Sequence, residues 1–138
     1  MAALTADRFP FKQRSTGRTF VGDVKAGVVI FLNALVAVDA NGWTVPASDT
    51  AGLVVTGVAL ESVDNTLGAN GARTVEIVTG VFKFNNAGNA IVQASKHRPC
   101  MVADDNSVTT AAVAANDIKA GTVDAIDSDG VWVRVAPE

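Results

Sequence analysis

The feature that most constrains this chain is a succession of short, valine-rich runs separated by glycine and Asx turns. Such runs are typical of strands, and their spacing is typical of a sandwich or barrel. We predict strands at Val28–Phe31, Leu35–Val38, Thr44–Pro46, Val54–Ser62, Arg73–Thr79, Val81–Phe84, Pro99–Ala103, Val108–Ala111, Gly121–Asp127 and Val131–Val135. The region 111–117 is left open between a single helical turn and a loop. The sequence therefore predicts an all-β fold, a compact β-sandwich or barrel (jelly-roll-like).

Composition supports this prediction. Hydrophobic residues make up 49% of the 138 residues but aromatic residues only 6%, so the apolar mass is mostly valine and alanine. Valine favours pleated strands, and Asn-Gly or Asp-Gly turns, as at Asn41-Gly42 and Asp129-Gly130, favour hairpins. A chain of this length fits one domain, which we place at residues 23–138.

The first 22 residues differ from the rest. They hold four cations against one carboxylate, a net charge of +3, so the remaining residues carry −6. This part has no sustained period, and we predict an extended N-terminal arm over residues 1–22. A disordered terminus is the alternative, whereas its three phenylalanines favour docking on a protein surface.

Two internal echoes suggest a duplication, although valine-rich sequences also produce such matches by chance. The segment Asp23–Val29 is echoed by Asp117–Val123. In a second parallel, the strand, Asx turn and strand of residues 35–45 resemble residues 101–109, and Thr56–Ala59 resembles Ala120–Val123.

No catalytic or metal-binding pattern is found. His97 is the only histidine, and its sequence neighbour Cys100 is best explained as a buried small hydrophobe. The aspartates fit turns and lack the EF-hand spacing, and neither Lys25 nor Lys119 has the surround of a biotin or lipoate site. We therefore predict a protein that is not an enzyme, with no catalytic residue, no metal and no cofactor.

The cations and rings of the arm also allow a weak nucleic-acid role, but an acidic body opposes it, so we expect contact with a protein and no direct nucleic-acid binding. Tryptophan is a common interface anchor as well as a common core residue, and Trp43 and Trp132 both lie near turns. The candidate partner-binding residues are Arg8, Phe9, Phe11, Lys12, Arg14, Arg18, Phe20 and Trp43.

The absence of an apolar leader and the single cysteine predict synthesis in a cytoplasm. The longest apolar run, 27–32, is too short to span a membrane, so no membrane association is expected.

The Thr-Gly-Val-Ala motif at Thr56–Ala59, the Val-Thr-Gly-Val-Phe motif at Val78–Phe82 and the terminal Val-x-Val-x-Val strand carry a family resemblance. From about Asp23 to Val135 the chain resembles the small Val/Ala-rich head proteins of tailed phages that act as capsid decoration (cement) proteins. These motifs are low in specificity, and they transfer no functional residue position by position.

The resemblance implies a structural virion protein on the capsid exterior of a bacteriophage, made in the bacterial host. Its implied partner is the major capsid protein, whose neighbouring subunits it would clamp, and it would act as a homo-oligomer, a dimer or trimer. The alternative is another viral or cell-surface structural β-module, such as a fibre base or a carbohydrate-binding head.

Overall fold

The computed structural model describes residues 3–8 and 13–135, with the backbone alone for residues 13–16. Its strands are β1 Gln13–Asp23, β2 Val29–Ile30, β3 Leu35–Val38, β4 Thr44–Pro46, β5 Val54–Ala59, β6 Val63–Asp64, β7 Thr74–Asn86, β8 Pro99–Asp104, β9 Ser107–Thr109, β10 Lys119–Asp127 and β11 Gly130–Val135. Two single 3-10 turns, Ala87–Asn89 and Gln93–Ser95, are the only helical elements of this described part. The predicted all-β class is confirmed.

Most predicted strands are present with ends shifted by a few residues, and three differences are informative. A break predicted at Gly80 does not occur, because β7 continues through Gly80 with a φ of 148° that glycine tolerates. The open region 111–117 is a loop rather than a helix. The short β6 was missed, and so was β1. None of the helices within the described ranges has the length and apolar character needed to cross a membrane.

The second part of the predicted arm, residues 13–22, lies in a strand of the sheet. β1 is extended, as expected, and it pairs antiparallel with β7 over nearly its whole length. A register shift between Thr16 and Thr19 accommodates Gly17, which packs against Thr79 so closely that a Cβ would collide with the threonine hydroxyl. This bulge interrupts the alternation of side chains, which explains why the sequence pattern of a strand is hidden there.

The sheet closes twice, and both closures use β7. A first barrel is formed by β1, β4, β3, β5 and the beginning of β7, and it is closed by an isolated parallel bridge between Val24 and Thr44. A second barrel is formed by the end of β7 with β9, β8, β10 and β11. Of the sandwich and the barrel left open by the sequence, the structure has the barrel.

The two barrels have the same strand connectivity. In each, the second and third strands form a hairpin, the second also pairs with the fourth, the fourth with the fifth, and the fifth with the first. The first strand contacts the third in parallel, through Val24 and Thr44 in one barrel and Asn86 and Val108 in the other. The strand β7 is the last strand of the first barrel and the first strand of the second.

The registers agree residue by residue. Val36 pairs with Gly57 in the first barrel, and Cys100 pairs with Gly121 in the second, each beside a register shift of one residue. Both glycines are required, because an added Cβ at Gly57 would lie 2.7 Å from the carbonyl oxygen of Val78 and one at Gly121 would overlap a carbonyl oxygen of the equivalent strand. The molecule is therefore an internal repeat at the level of topology and register.

Two residues of unlike chemistry occupy the same place in this repeat. Asn33 and His97 precede the second strand of their barrels with φ angles of 69° and 63°. Their backbone N–H groups donate to the carbonyl oxygens of Ala59 and Val123, at 2.8 Å in both cases. The only histidine is thus explained by a left-handed turn position.

Of the sequence echoes, the match between Thr56–Ala59 and Ala120–Val123 marks the repeat, and the longest match does not. Thr56–Ala59 and Ala120–Val123 occupy equivalent positions in β5 and β10, as the pairing registers show. The longer match does not: Asp23–Val29 runs from the end of β1 to β2, whereas Asp117–Val123 leads into and through the first half of β10. The turn that the shared Asp-x-Lys-Ala-Gly letters predict is present in the first copy, where Gly27 has a φ of 77°. It is wrong for the second copy, because Lys119, Ala120 and Gly121 lie within β10.

Each barrel encloses its own core. The first holds Val24, Ile30, Ala34, Val36, Ala59, Val63, Val75 and Ile77, of which Ile30 and Val63 come from the paired strands β2 and β6. The second core extends to the contact between the barrels, where Leu35 and Val58 are fully buried. Their equivalents on the second barrel are the exposed Pro99 and the half-buried Thr122. The corresponding face of the second barrel therefore lacks the buried apolar contact that a third barrel would need.

β1 and β11 meet at one residue of the shared strand. Gly80 pairs with Thr16 of β1 on one edge and with Val135 of β11 on the other. Strands in a sheet lie roughly 4.8 Å apart, so Thr16 and Val135 are separated by about 10 Å.

Candidate partner-binding surface

Arg8, the first predicted contact residue, is engaged within the chain. Its guanidinium donates from Nε to the Asn33 carbonyl oxygen at 3.0 Å and from Nη1 to the Lys83 carbonyl oxygen at 2.8 Å. A longer bond of 3.3 Å joins Nη1 to Oδ1 of Asn106, and the guanidinium lies 4.8 Å from the centre of the Phe84 ring. Burial lowers the pKa of Arg8 to about 10.

The residues around Arg8 attach to the barrels as well. The backbone N–H of Leu4 donates to Asp105 Oδ1 at 2.8 Å, and Asp7 Oδ1 accepts from the N–H of Leu32 at 2.9 Å. Burial raises the pKa of Asp105 to about 6, despite the opposing N–H of Leu4. Residues 3–8 therefore form a staple across the two barrels, since Leu32 precedes β3 and Asp105 lies between β8 and β9. We call residues 3–8 the N-terminal staple.

The other predicted arm residues are placed unevenly. Phe9, Phe11 and Lys12 lie outside the described residues, and Arg14 belongs to β1 with only its backbone described. Arg18 is exposed, and its guanidinium lies 4.8 Å from the ring centre of Phe20.

Phe20 itself packs against the first core and is partly buried. The structure thus brings Arg18 and Phe20 together and keeps Arg8 apart, at the contact between the barrels. Whether any of these residues binds a partner stays a prediction.

Trp43 belongs to a different surface. It ends the turn of the β3–β4 hairpin, where its backbone N–H donates to Asp39 Oδ1 at 3.0 Å. That bond is the largest cause of the lowered pKa of Asp39, which also forms an ion pair with Lys25 at 3.2 Å. The indole lies over the loop between β6 and β7, since a Cβ added at Gly71 would be 3.2 Å from its ring.

The loop next to Trp43 is fixed by one buried amide. Asn65 is 1% exposed, and its Nδ2 group donates to the carbonyl oxygens of Val24, Lys25 and Ala69 at 3.0–3.2 Å. Backbone bonds add to this hold, including Gly71 N–H to the Val24 carbonyl oxygen at 2.9 Å. The loop is therefore an ordered part of the first barrel rather than a free connection.

This ordered loop presents Leu67 completely to solvent. Leu67 is as exposed as a side chain in an extended peptide, at 102%. Thr66 beside it is held by Asp64, whose pKa is lowered chiefly by the hydrogen bond from the Thr66 hydroxyl. We call residues 65–72 the Leu67 loop.

An open groove of about 840 Å³ runs beside the Leu67 loop. Its charged lining residues are Glu61, Asp64 and Arg73, so the groove is mildly acidic. Sequence reasoning missed this surface. The available signal was a lone leucine within a run of small and polar residues, Asn65–Arg73, where nothing in the local pattern calls for an apolar side chain.

On the second barrel, the conspicuous charged cluster is internally paired. Lys83 bonds Asp129 and Asp127, which raises its pKa with Asp129 as the larger cause, and its ammonium lies 5.7 Å from the Trp132 ring centre. The Trp132 indole N–H donates to Asp127 at 2.8 Å.

The thiol of Cys100 is fully buried, and burial raises its pKa to about 12. Within residues 3–8 and 13–135, no three His, Cys, Asp or Glu side chains are grouped so that they could hold a metal ion.

No protein-family model matches this chain, and no curated protein matches it. Among the surfaces described above, the Leu67 loop combines an ordered backbone, a fully exposed apolar side chain and a neighbouring tryptophan.

Proposed function

We propose that this chain is a capsid decoration protein that binds the exterior of a tailed-phage head and clamps neighbouring major capsid proteins. The proposal starts from the resemblance of residues 23–135 to small Val/Ala-rich head proteins. The structural observation that carries it is the fully exposed Leu67 on a loop fixed by the buried Asn65. It does not depend on any catalytic role.

An exposed apolar side chain on an ordered loop suits a binding anchor. Burying one leucine contributes roughly 1.5–3 kcal/mol, and an anchor already held in place loses little conformational entropy when it binds. Single exposed hydrophobic residues are common on monomers, so exposure alone would mean little. Here the exposure coincides with a fixed backbone, an adjacent groove and the nearby Trp43.

The double barrel suits a clamp for a second reason. Two barrels that share β7 and are joined by the N-terminal staple form a stiff unit, because hydrogen bonds of Arg8 connect residues from both barrels. A stiff unit that contacts two capsid subunits resists their separation better than a jointed one. Each added contact on the same shell also raises the effective concentration of the others.

The exposed side chains of β1 offer a second contact to the shell. Arg18 and Val21 are both exposed on β1, and Val21 is 62% exposed. Removing residues 1–22 is not a clean test of this contact, because the deletion would also remove β1 from the sheet.

The test is electron microscopy of phage heads mixed with the purified chain. Occupied heads should show added density of about 14.2 kDa per copy on the outer surface. The variant Leu67→Asp should lower occupancy about tenfold, since it loses a buried leucine and places a charge in the contact. The matched control is Val113→Asp, at a site 65% exposed on another loop.

Three outcomes would contradict the proposal or its anchor. Heads without added density would refute shell binding. Equal losses for Leu67→Asp and Val113→Asp would refute the anchor while leaving shell binding supported. A glycan-array signal without shell binding would favour a carbohydrate-binding module instead.

A further inference from the structure

Up to Val21, the outer edge of β1 has no strand beside it in the described chain, whereas its last residues lie next to Thr44 of β4. β1 pairs with β7 on one edge only, and residues 17–23 are exposed or half-buried. Val21, in the middle of this stretch, is 62% exposed. Unpaired strand edges carry free N–H and C=O groups and are templates for pairing with another chain.

The internal repeat shows what such an edge accepts. β7 is the first strand of the second barrel and therefore the counterpart of β1. Phe20 pairs with Ile77 as Phe82 pairs with Val133, which aligns Phe20 of β1 with Phe82 of β7. The edge of β7 that corresponds to the open edge of β1 is not open, because β1 itself covers it. The chain thus contains one example of the contact that β1 lacks.

Transferring that contact gives a definite register. Within the chain Thr16 pairs with Gly80, and Gly80 corresponds to Arg18 in the alignment of β7 with β1. A second β1 placed on the first as β1 lies on β7 therefore pairs Thr16 with Arg18 of the other copy. The midpoint of this pairing is Gly17.

A neighbouring pair gives the same midpoint. Ser15 pairs with Val81, and the counterpart of Val81 in β1 is Thr19. The midpoint of Ser15 and Thr19 is again Gly17. The two β1 strands would overlap almost completely. Each would lie on the other as β1 lies on β7, and each would also receive the other as β7 receives β1. Two copies that make the same contact in both directions are related by a two-fold axis.

We propose that the open edge of β1 pairs antiparallel with β1 of a second copy, about a two-fold axis near Gly17. The dimer then has one sheet that continues from β7 through both β1 strands to the second β7. This inference concerns self-association and does not rest on shell binding, so either can fail without the other.

The test measures association and geometry on the full chain. Sedimentation equilibrium should give a monomer–dimer equilibrium. Thr19→Lys adds two cations near the axis and should weaken the dimer about tenfold. Thr50→Lys, an exposed site away from β1, is the matched control and should leave association unchanged.

Spin labels at Val21→Cys then measure the register, because the native Cys100 is buried and does not react. Each Val21 is four residues from the axis, so the two Cα atoms should lie about 27 Å apart at ~3.4 Å per residue. A monomer at every concentration, a trimer, a dimer insensitive to Thr19→Lys, or a distance that excludes the Gly17 axis would each overturn the proposal.

Discussion

Replacing Arg8 with alanine should cost about 3 kcal/mol of the free energy of unfolding. The change removes bonds to two carbonyl oxygens, of Asn33 and Lys83, and a longer one to Asn106. Bonds to a charged group contribute roughly 1.5–3 kcal/mol each, and a desolvated cation over a ring about 2 kcal/mol. The cost of burying the guanidinium, visible in its pKa of about 10, offsets much of this sum.

Urea denaturation followed by circular dichroism measures this loss. Arg8→Lys should recover less than half of it, because an ammonium group cannot donate to both carbonyls in the planar fork that Arg8 uses. Arg134→Ala is the matched control: Arg134 forms an exposed 3.4 Å ion pair with Asp124, and such pairs contribute about 0–1 kcal/mol. A loss below about 0.5 kcal/mol for Arg8→Ala would refute the staple as a stabilising contact.

Three further predictions follow from single residues. The folded pKa of Asp105 is raised to about 6, so stability should fall as pH rises from 4 through 6, and Asp105→Asn should remove that part of the slope in urea titrations at each pH. Asn65→Ala should leave carbonyl oxygens of the loop unpaired and lower the free energy of unfolding by about 1–3 kcal/mol. It should also speed hydrogen exchange at the Gly71 N–H, and unchanged exchange would contradict the role given to Asn65. Gly57→Ala and Gly121→Ala should each lower the melting temperature sharply, and tolerance of either by differential scanning fluorimetry would contradict the close strand approach.

The sequence predicted the fold class because its local signals agree with one another. Valine alternation and Asx-Gly turns fixed hairpins such as Leu35–Val38 with Thr44–Pro46, whose bounds are confirmed. β1 was missed as a strand because the bulge at Gly17 breaks its alternation and because strand pairing with β7 is a long-range contact. The break predicted at Gly80 assumed that glycine ends a strand, whereas here two neighbouring strands hold the chain extended.

The candidate site was only partly accessible from sequence. Trp43 was selected as a turn-proximal tryptophan, and the structure places it beside the Leu67 loop, which no motif marks. Arg8 was selected for its charge, but the buried carbonyls that engage it come from residues 25 and 75 positions away, and no local pattern reports them. The repeat was detectable as short sequence matches. Only the strand register distinguished the match of Thr56–Ala59, which marks the repeat, from the match of Asp23–Val29, which does not.

The convergence of β1 and β11 on Gly80 has a practical consequence for protein engineering. Because Thr16 and Val135 flank the same residue on opposite edges, a short linker from residue 135 to β1 would make a circular permutant feasible, with new ends opened in an exposed loop such as 110–116. Such a permutant would lack the N-terminal staple, so it should also lose the stability that the Arg8 contacts contribute.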